Sequence, residues 1–188
     1  IAKGLIPVIN EQNGVYHQFL RGIEDGQVVN ECIKVTSVSR GVDPYTDYAE
    51  YLRLAHNPDM RVIISNTTEA GIEYLGTEGF DDAPPKSFPA KLTRLLYERF
   101  ETGFSGFIIL SCELIDNNGK ELLNCVLKYA KLWNLSEEFV NWIQTQNHFC
   151  NTLVDRICTG YPKDEVEELT AVLGEEDKLM NTAEIFHL

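Results

Sequence analysis

The chain has 188 residues, of which 44% are hydrophobic, 10% aromatic and 24% charged, and 29 acidic against 16 basic side chains give it a net charge of -13. A chain this long buries about 70% of the surface its unfolded form exposes, so it needs no staples, and its composition excludes disorder, collagen-like repeats and a disulfide scaffold. The acidic balance opposes DNA or RNA as a partner, and the longest purely apolar run, Phe107–Leu110, is far short of the roughly 20 residues of a membrane span.

Between Lys163 and Glu184 eight acids face two lysines, so the rest of the chain is milder in charge and can meet a small acidic substrate where local donors face it. Five cysteines (Cys32, Cys112, Cys125, Cys150, Cys158) form an odd set with no CxxC pair, as suits a reducing cytoplasm. Ile1-Ala2-Lys3-Gly4 opens without Met and without an apolar signal segment, which predicts a chain that begins mid-protein.

In chain order, Val15–Ser39 reads as a hairpin turning at Glu24-Asp25-Gly26. Tyr45–His56 reads as a helix stopped by Asn57-Pro58, and Arg61–Ser65 as an apolar strand covered on both faces. Residues 76–86 form a loop. Ser87 then caps a helix bearing Leu92, Leu95, Leu96 and Phe100 on one stripe, which Gly103–Gly106 breaks before a second buried strand, Phe107–Cys112. Asn118 with Glu121 resembles a capping box for a helix through Ala130, and Ser136–Gln146 is another helix. Phe149–Thr159 alternates as one strand would, Gly160-Tyr161-Pro162 turns, and a last acidic helix closes at Gly174. Strands alternating with helices predict an α/β fold, Rossmann-like, with a largely parallel sheet and flanking helices.

In such sheets ligands bind beyond the carboxyl ends of the strands. The first end carries Ser65, Asn66, Thr67, Thr68, Glu69 and Gly71; the second carries Cys112 and Glu113, then Asp116-Asn117-Asn118-Gly119. Small hydroxyls, amides and glycine let a ligand approach the backbone, and a carboxylate can accept from ribose hydroxyls. The same residue types also suit an ordinary strand-to-helix loop, so spacing alone leaves both readings open. On a single strand Asn151 and Asp155 would share one face and Arg156 the other. An inward Asn151 amide can stabilise a developing alkoxide, whereas Asp155 or Arg156 can equally form a structural ion pair. His148, Cys150 and Cys158 match no standard zinc spacing, so no metal is expected. Neither Gly76-x-x-Gly79 nor Gly103-x-x-Gly106 is a dinucleotide turn, and no Walker loop or GxSxG elbow is present.

Ser65–Ile72, Phe88–Thr93, Glu113–Asp116 with Asn118-Gly119, and Asn151–Ile157 together resemble the mannitol dehydrogenase family of polyol-specific long-chain dehydrogenases. Phe80-Asp81-Asp82-Ala83-Pro84 and Thr159-Gly160-Tyr161-Pro162 resemble one branch, whose members reduce the ketone of D-tagaturonate to D-altronate with NADH in hexuronate breakdown. The resemblance implies an NAD-dependent oxidoreductase acting on a sugar acid. Ser65–Gly71 would line the nicotinamide side of the cofactor site, with Cys112 and Glu113 bordering the same cleft. Asn151 would hold the reacting oxygen, and Asp155 and Arg156 match signature positions on the substrate side.

The family's glycine-rich phosphate loop and its C-terminal helical domain, with a catalytic Lys, have no counterpart here. Residues 1–188 are therefore expected to be part of an N-terminal NAD-binding domain, incomplete at both ends. Sister activities on fructuronate or mannitol are alternatives. So is a non-catalytic α/β module that binds a partner protein through the acidic stretch Asp164–Asp177, for which a solvated helix face is the simpler account.

Overall fold

A computed structural model describes residues 4–153 and 156–186. In chain order its elements are α1 (Ile6–Glu11), β1 (Tyr16–Glu24), β2 (Gln27–Val35), α2 (Tyr48–Arg53), β3 (Val62–Ser65), α3 (Phe88–Glu101), β4 (Ile108–Ser111), α4 (Asn118–Leu132), α5 (Glu137–Gln146), β5 (His148–Asn151), β6 (Cys158–Gly160), α6 (Val166–Leu173) and β7 (Asn181–Glu184). They fall into two units, one formed by Pro44–Asp155 and one by Ile1–Asp43 with Arg156–Leu188.

The discontinuous unit is built on a mixed sheet in the order β2-β1-β7-β6. β1 and β2 form the expected hairpin, because Asp25 and Gly26 both take positive φ, 51° and 78°, the geometry that follows the twist of paired strands. β7 then pairs parallel with β1 and antiparallel with β6. Phe19 on β1 packs with Leu169 on α6 and with Met180 to form a small core. Asp177 is buried and accepts hydrogen bonds from Gln12, His17 and Leu179, tying the two segments of this unit together.

The Pro44–Asp155 unit holds a three-stranded parallel sheet, β3-β4-β5. Helices α3, α4 and α5 cover one face through Leu92, Leu96, Leu122, Val126, Phe139 and Ile143, which pack on Ile109 and Phe107. The opposite face differs from the sequence expectation of strands covered on both sides. Val62, Ile64 and Ile108 are exposed there, Ile64 by 62%. Continuous apolar strands suit two covered faces; within this unit the helices supply one cover.

Helix starts follow the chemistry of their first residues. Ser87 accepts from Ala90 N and Ser136 from Phe139 N, each satisfying an N–H that the first turn leaves free. The loop of residues 76–86 is pinned to α3 by buried Glu78, whose carboxylate accepts from the Ser87 backbone N–H, the Ser87 hydroxyl at 2.9 Å and the Tyr129 hydroxyl. Burial alone would push the Glu78 carboxyl up; the donors from Tyr129, Ser87 and Lys86 outweigh it and leave the group below its ordinary value. Arg99, 1% exposed, donates to the carbonyls of Ala55, Asn57, Met60 and Ser105, holding the approach to β3 against α3.

Two further sequence expectations are corrected. Asn118 is not a capping residue: Asn117 precedes the helix in left-handed conformation without a side-chain cap, and Asn118 is the first helical residue, fully buried. The strand expected over Phe149–Thr159 is two short strands, β5 and β6, in different sheets. Thr152 leaves the ladder because its N–H and C=O bind the Asn118 side chain and its hydroxyl donates to Ser111 O. The shared-face argument for Asn151 and Asp155 therefore lapses, and Asp155 lies outside the described residues.

Candidate functional site

Ser65, Ser111 and Asn151 stand in register as the last residues of β3, β4 and β5, so one row of polar side chains marks the carboxyl edge of the parallel sheet. The expected site residues of both loops gather at this edge, where helix starts and strand ends leave backbone groups to satisfy.

Glu113 organises the first loop. It is 2% exposed, and its carboxylate accepts from Ser65 Oγ at 3.0 Å, Thr67 N at 3.1 Å and Thr67 Oγ1 at 3.0 Å. Cys112 N donates to Ser65 O at 2.8 Å, extending the β3–β4 pairing past the strand end. All three donors to Glu113 are neutral, and together they satisfy a carboxylate that burial would otherwise penalise. Glu113 therefore fixes the loop rather than offering itself as a base.

The rest of that loop faces outward. Asn66, Thr68 and Glu69 are exposed, as is Thr67 apart from its bonds to Glu113, and Gly71 closes a 3-10 turn over Glu69–Gly71. A Cβ on Gly71 would lie 1.9 Å from Thr67 Oγ1, so any larger residue would push Thr67 off Glu113.

Asn151 is exposed at the end of β5, and its Oδ1 accepts from Lys120 N at 3.0 Å in the first turn of α4. With the carbonyl oxygen so engaged, the two N–H groups of Nδ2 remain as donors. Gly119 permits the approach: a Cβ there would sit 2.5 Å from Cys150 O. Arg156 lies in the other unit, where Nε and Nη2 donate to Glu184 O at 3.1 and 2.9 Å and clasp the end of β7.

Sequence reasoning placed Asn118 at this edge but read it as a helix cap, and it missed Thr152. Asn118 Nδ2 donates to Glu113 O and Thr152 O, both at 2.9 Å, while its Oδ1 accepts from Gly119 N at 2.8 Å and Thr152 N at 3.0 Å. The signal was Gly119 directly after Asn118, marking a close backbone approach rather than a helix cap.

The donor set suits part of a nucleotide cofactor. Exposed amides, hydroxyls and the Glu69 carboxylate match a hydroxyl-rich ribose and a carboxamide. A pyrophosphate is not matched here, because residues 65–71 and 111–119 contain no Lys or Arg and the N–H groups of Gly119 and Lys120 are taken by Asn118 and Asn151. A mostly apolar cleft of about 330 Å³, lined by Leu5, Ile6, Ile9, Val38 and Leu179 with Tyr16 and Asn181, lies in the discontinuous unit. Among the described residues no helix is long and apolar enough to cross a membrane, and no group of three His, Cys, Asp or Glu is placed to hold a metal.

Residues 1–188 match the family described as the mannitol dehydrogenase Rossmann domain. The altronate oxidoreductase of Klebsiella pneumoniae subsp. pneumoniae is 49% identical over 193 residues, covering 100% of this chain and 40% of that protein. The enzyme of the same name from Escherichia coli O7:K1 is 50% identical over 187 residues, covering 97% of the chain and 39% of its own length. The chain thus spans about 40% of the length of these curated relatives. Among solved structures, the Pseudomonas fluorescens mannitol 2-dehydrogenase ternary complex with NAD and D-mannitol superposes with a TM-score of 0.82 at 20% identity, over 98% of this chain and 39% of that one. A substrate-free D-sorbitol dehydrogenase gives 0.79 at 22% identity, over 99% of this chain and 40% of that one. At these identities the structures establish the Rossmann-like fold.

Proposed function

The chain belongs to the mannitol dehydrogenase family, and we propose that it forms part of the N-terminal NAD-binding domain of a cytoplasmic enzyme that reduces the ketone of D-tagaturonate to D-altronate. Half identity along the whole chain to altronate oxidoreductases supports this substrate over fructuronate or mannitol. The observation that carries the chemistry is Asn151, held by Lys120 N so that its amide donors project from the carboxyl edge on which the Ser65–Gly71 loop also stands.

NADH, when bound, supplies a hydride to the carbonyl carbon. The C=O π pair moves to oxygen, which then takes a proton to become the hydroxyl, so one ketone, one NADH and one proton give one alcohol and NAD. Charge grows on that oxygen in the transition state, and Asn151 Nδ2 donates to it there more strongly than to the ground-state ketone. Because an amide does not titrate, this stabilisation is independent of pH. Asn66, Thr67, Thr68 and Glu69 would hold the nicotinamide ribose side, with Cys112 bordering it and Glu113 keeping the loop in shape. Arg156 and Asp155 are assigned to the substrate side by family position, although Nε and Nη2 of Arg156 are engaged with Glu184 O.

The test is NADH oxidation by the full-length protein with tagaturonate, fructuronate and mannitol-derived fructose compared side by side. Asn151→Ala is expected to lower kcat about 100-fold, the scale for loss of one oxyanion donor, while shifting the NADH Kd less than about threefold. Wild-type turnover in that variant would refute the role given to Asn151.

A further inference from the structure

Asn118 stands at the centre of the carboxyl edge, and nothing in the assigned chemistry uses it. It is fully buried, and each half of its side-chain amide serves two partners. Nδ2 donates to the carbonyls of Glu113 and Thr152, and Oδ1 accepts from the N–H groups of Gly119 and Thr152. One side chain thereby ties the end of β4, the first turn of α4 and the residue after Asn151 into a single rigid junction.

The geometry of Asn151 depends on that junction. Its Oδ1 reaches Lys120 N, one residue past Gly119, and its main chain continues into Thr152, which Asn118 grips by both N–H and C=O. Thr152 is fixed a third time by its hydroxyl on Ser111 O at 2.6 Å. If the Thr152 backbone moved, the Asn151 side chain would leave Lys120 N, and its amide would be free to turn over and present oxygen instead of N–H to the cleft.

We propose that Asn118 is a positioning residue for the reduction: it locks the β5 end against the start of α4 and so aims the Asn151 Nδ2 donors at the reacting oxygen. This rests on the role assigned to Asn151 above. It goes further in making turnover depend on a buried residue that touches neither cofactor nor substrate.

A double-mutant cycle in the full-length protein separates this from a generic stabilising role. Steady-state NADH oxidation with tagaturonate and the NADH Kd are measured for Asn118→Ala, Asn151→Ala and the double variant. Asn118→Ala alone is expected to lower kcat roughly 10- to 100-fold, the effect of a misplacement of about 1 Å, with the NADH Kd within about threefold of wild type. In the Asn151→Ala background the same change is expected to lower kcat less than about twofold. Equal losses in both backgrounds, or a loss of NADH binding that parallels the loss of kcat, would overturn the proposal while leaving the role of Asn151 intact. If Asn151→Ala itself turns over at the wild-type rate, the reading of Asn151 fails and the proposal falls with it. If Asn118→Ala does not fold, Asn118→Asp takes its place in the same cycle. It keeps the shape and both acceptor contacts but cannot donate to Glu113 O or Thr152 O, and the same non-additivity is expected.

Discussion

Glu113→Ala offers a test of the cofactor loop whose size follows from the structure. The wild-type carboxylate holds the Ser65 hydroxyl, the Thr67 N–H and the Thr67 hydroxyl at 3.0–3.1 Å, and the substitution releases all three. Hydrogen bonds to a charged group contribute about 1.5–3 kcal/mol each, but Thr67 is exposed, so its two released donors recover much of that by solvation. What is not recovered is order. Asn66 and Thr67 lose their fixed backbone, and re-fixing one residue costs about 1–2 kcal/mol. At the low end of that range the two residues together would require about 2 kcal/mol from cofactor binding, which is about 30-fold in Kd. Glu113→Gln has the same shape: its oxygen can still accept from Thr67, and its amide can donate to Ser65 Oγ, so about fivefold or less is expected. The assay is titration of NADH fluorescence on the full-length protein, with circular dichroism confirming that each variant is folded. A Kd for Glu113→Ala within threefold of wild type would refute the claim that this carboxylate pre-organises the loop.

Other outcomes follow from buried groups. Arg99→Met leaves four carbonyls without their donor and is expected to lower stability by about 3–5 kcal/mol, read as a fall in urea midpoint; a loss under about 1 kcal/mol would show that water replaces the guanidinium. Glu78 has its folded value depressed, so the stability it contributes is complete above its unfolded value of about 4.3 and disappears as pH falls through the lower folded value. Acid titration should therefore show a shallower loss for Glu78→Gln than for wild type below about pH 4.3, and parallel curves would contradict the assignment. Val62, Ile64 and Ile108 form an exposed apolar strip on the parallel sheet, so the isolated 188-residue chain should self-associate in light scattering, and Ile64→Lys should reduce that; a monodisperse wild-type chain would argue against the strip as an adhesive surface.

Features set by neighbouring residues were legible in the sequence. Asp25-Gly26 specified the hairpin, Ser87 and Ser136 the helix starts, and Gly174 the end of α6, because each acts within a few residues of itself. The polar loops after Ser65 and Ser111 were legible as a carboxyl edge because parallel strands leave little choice of where their ends lie. Features set by distant partners were not. The split between β5 and β6 arises from Asn118, 34 residues from Thr152, and the parallel pairing of β1 with β7 joins Gln18 to Asn181. A strand pattern in Phe149–Thr159 says nothing about a side-chain amide that takes its central N–H and C=O. Asn118 itself looked like a cap because Asn, then Glu three residues on, has the local form of one; its burial, and the Gly119 that follows it, distinguish the two.

The most direct test is turnover by the full-length protein with NADH and a panel of tagaturonate, fructuronate and fructose, followed by the loss of NADH absorbance. Strict consumption of NADH with tagaturonate, at a kcat/KM roughly tenfold or more above the other two, is the result predicted here. No NADH oxidation with any of the three by a folded, NADH-binding protein would contradict the assignment of a sugar-acid reductase.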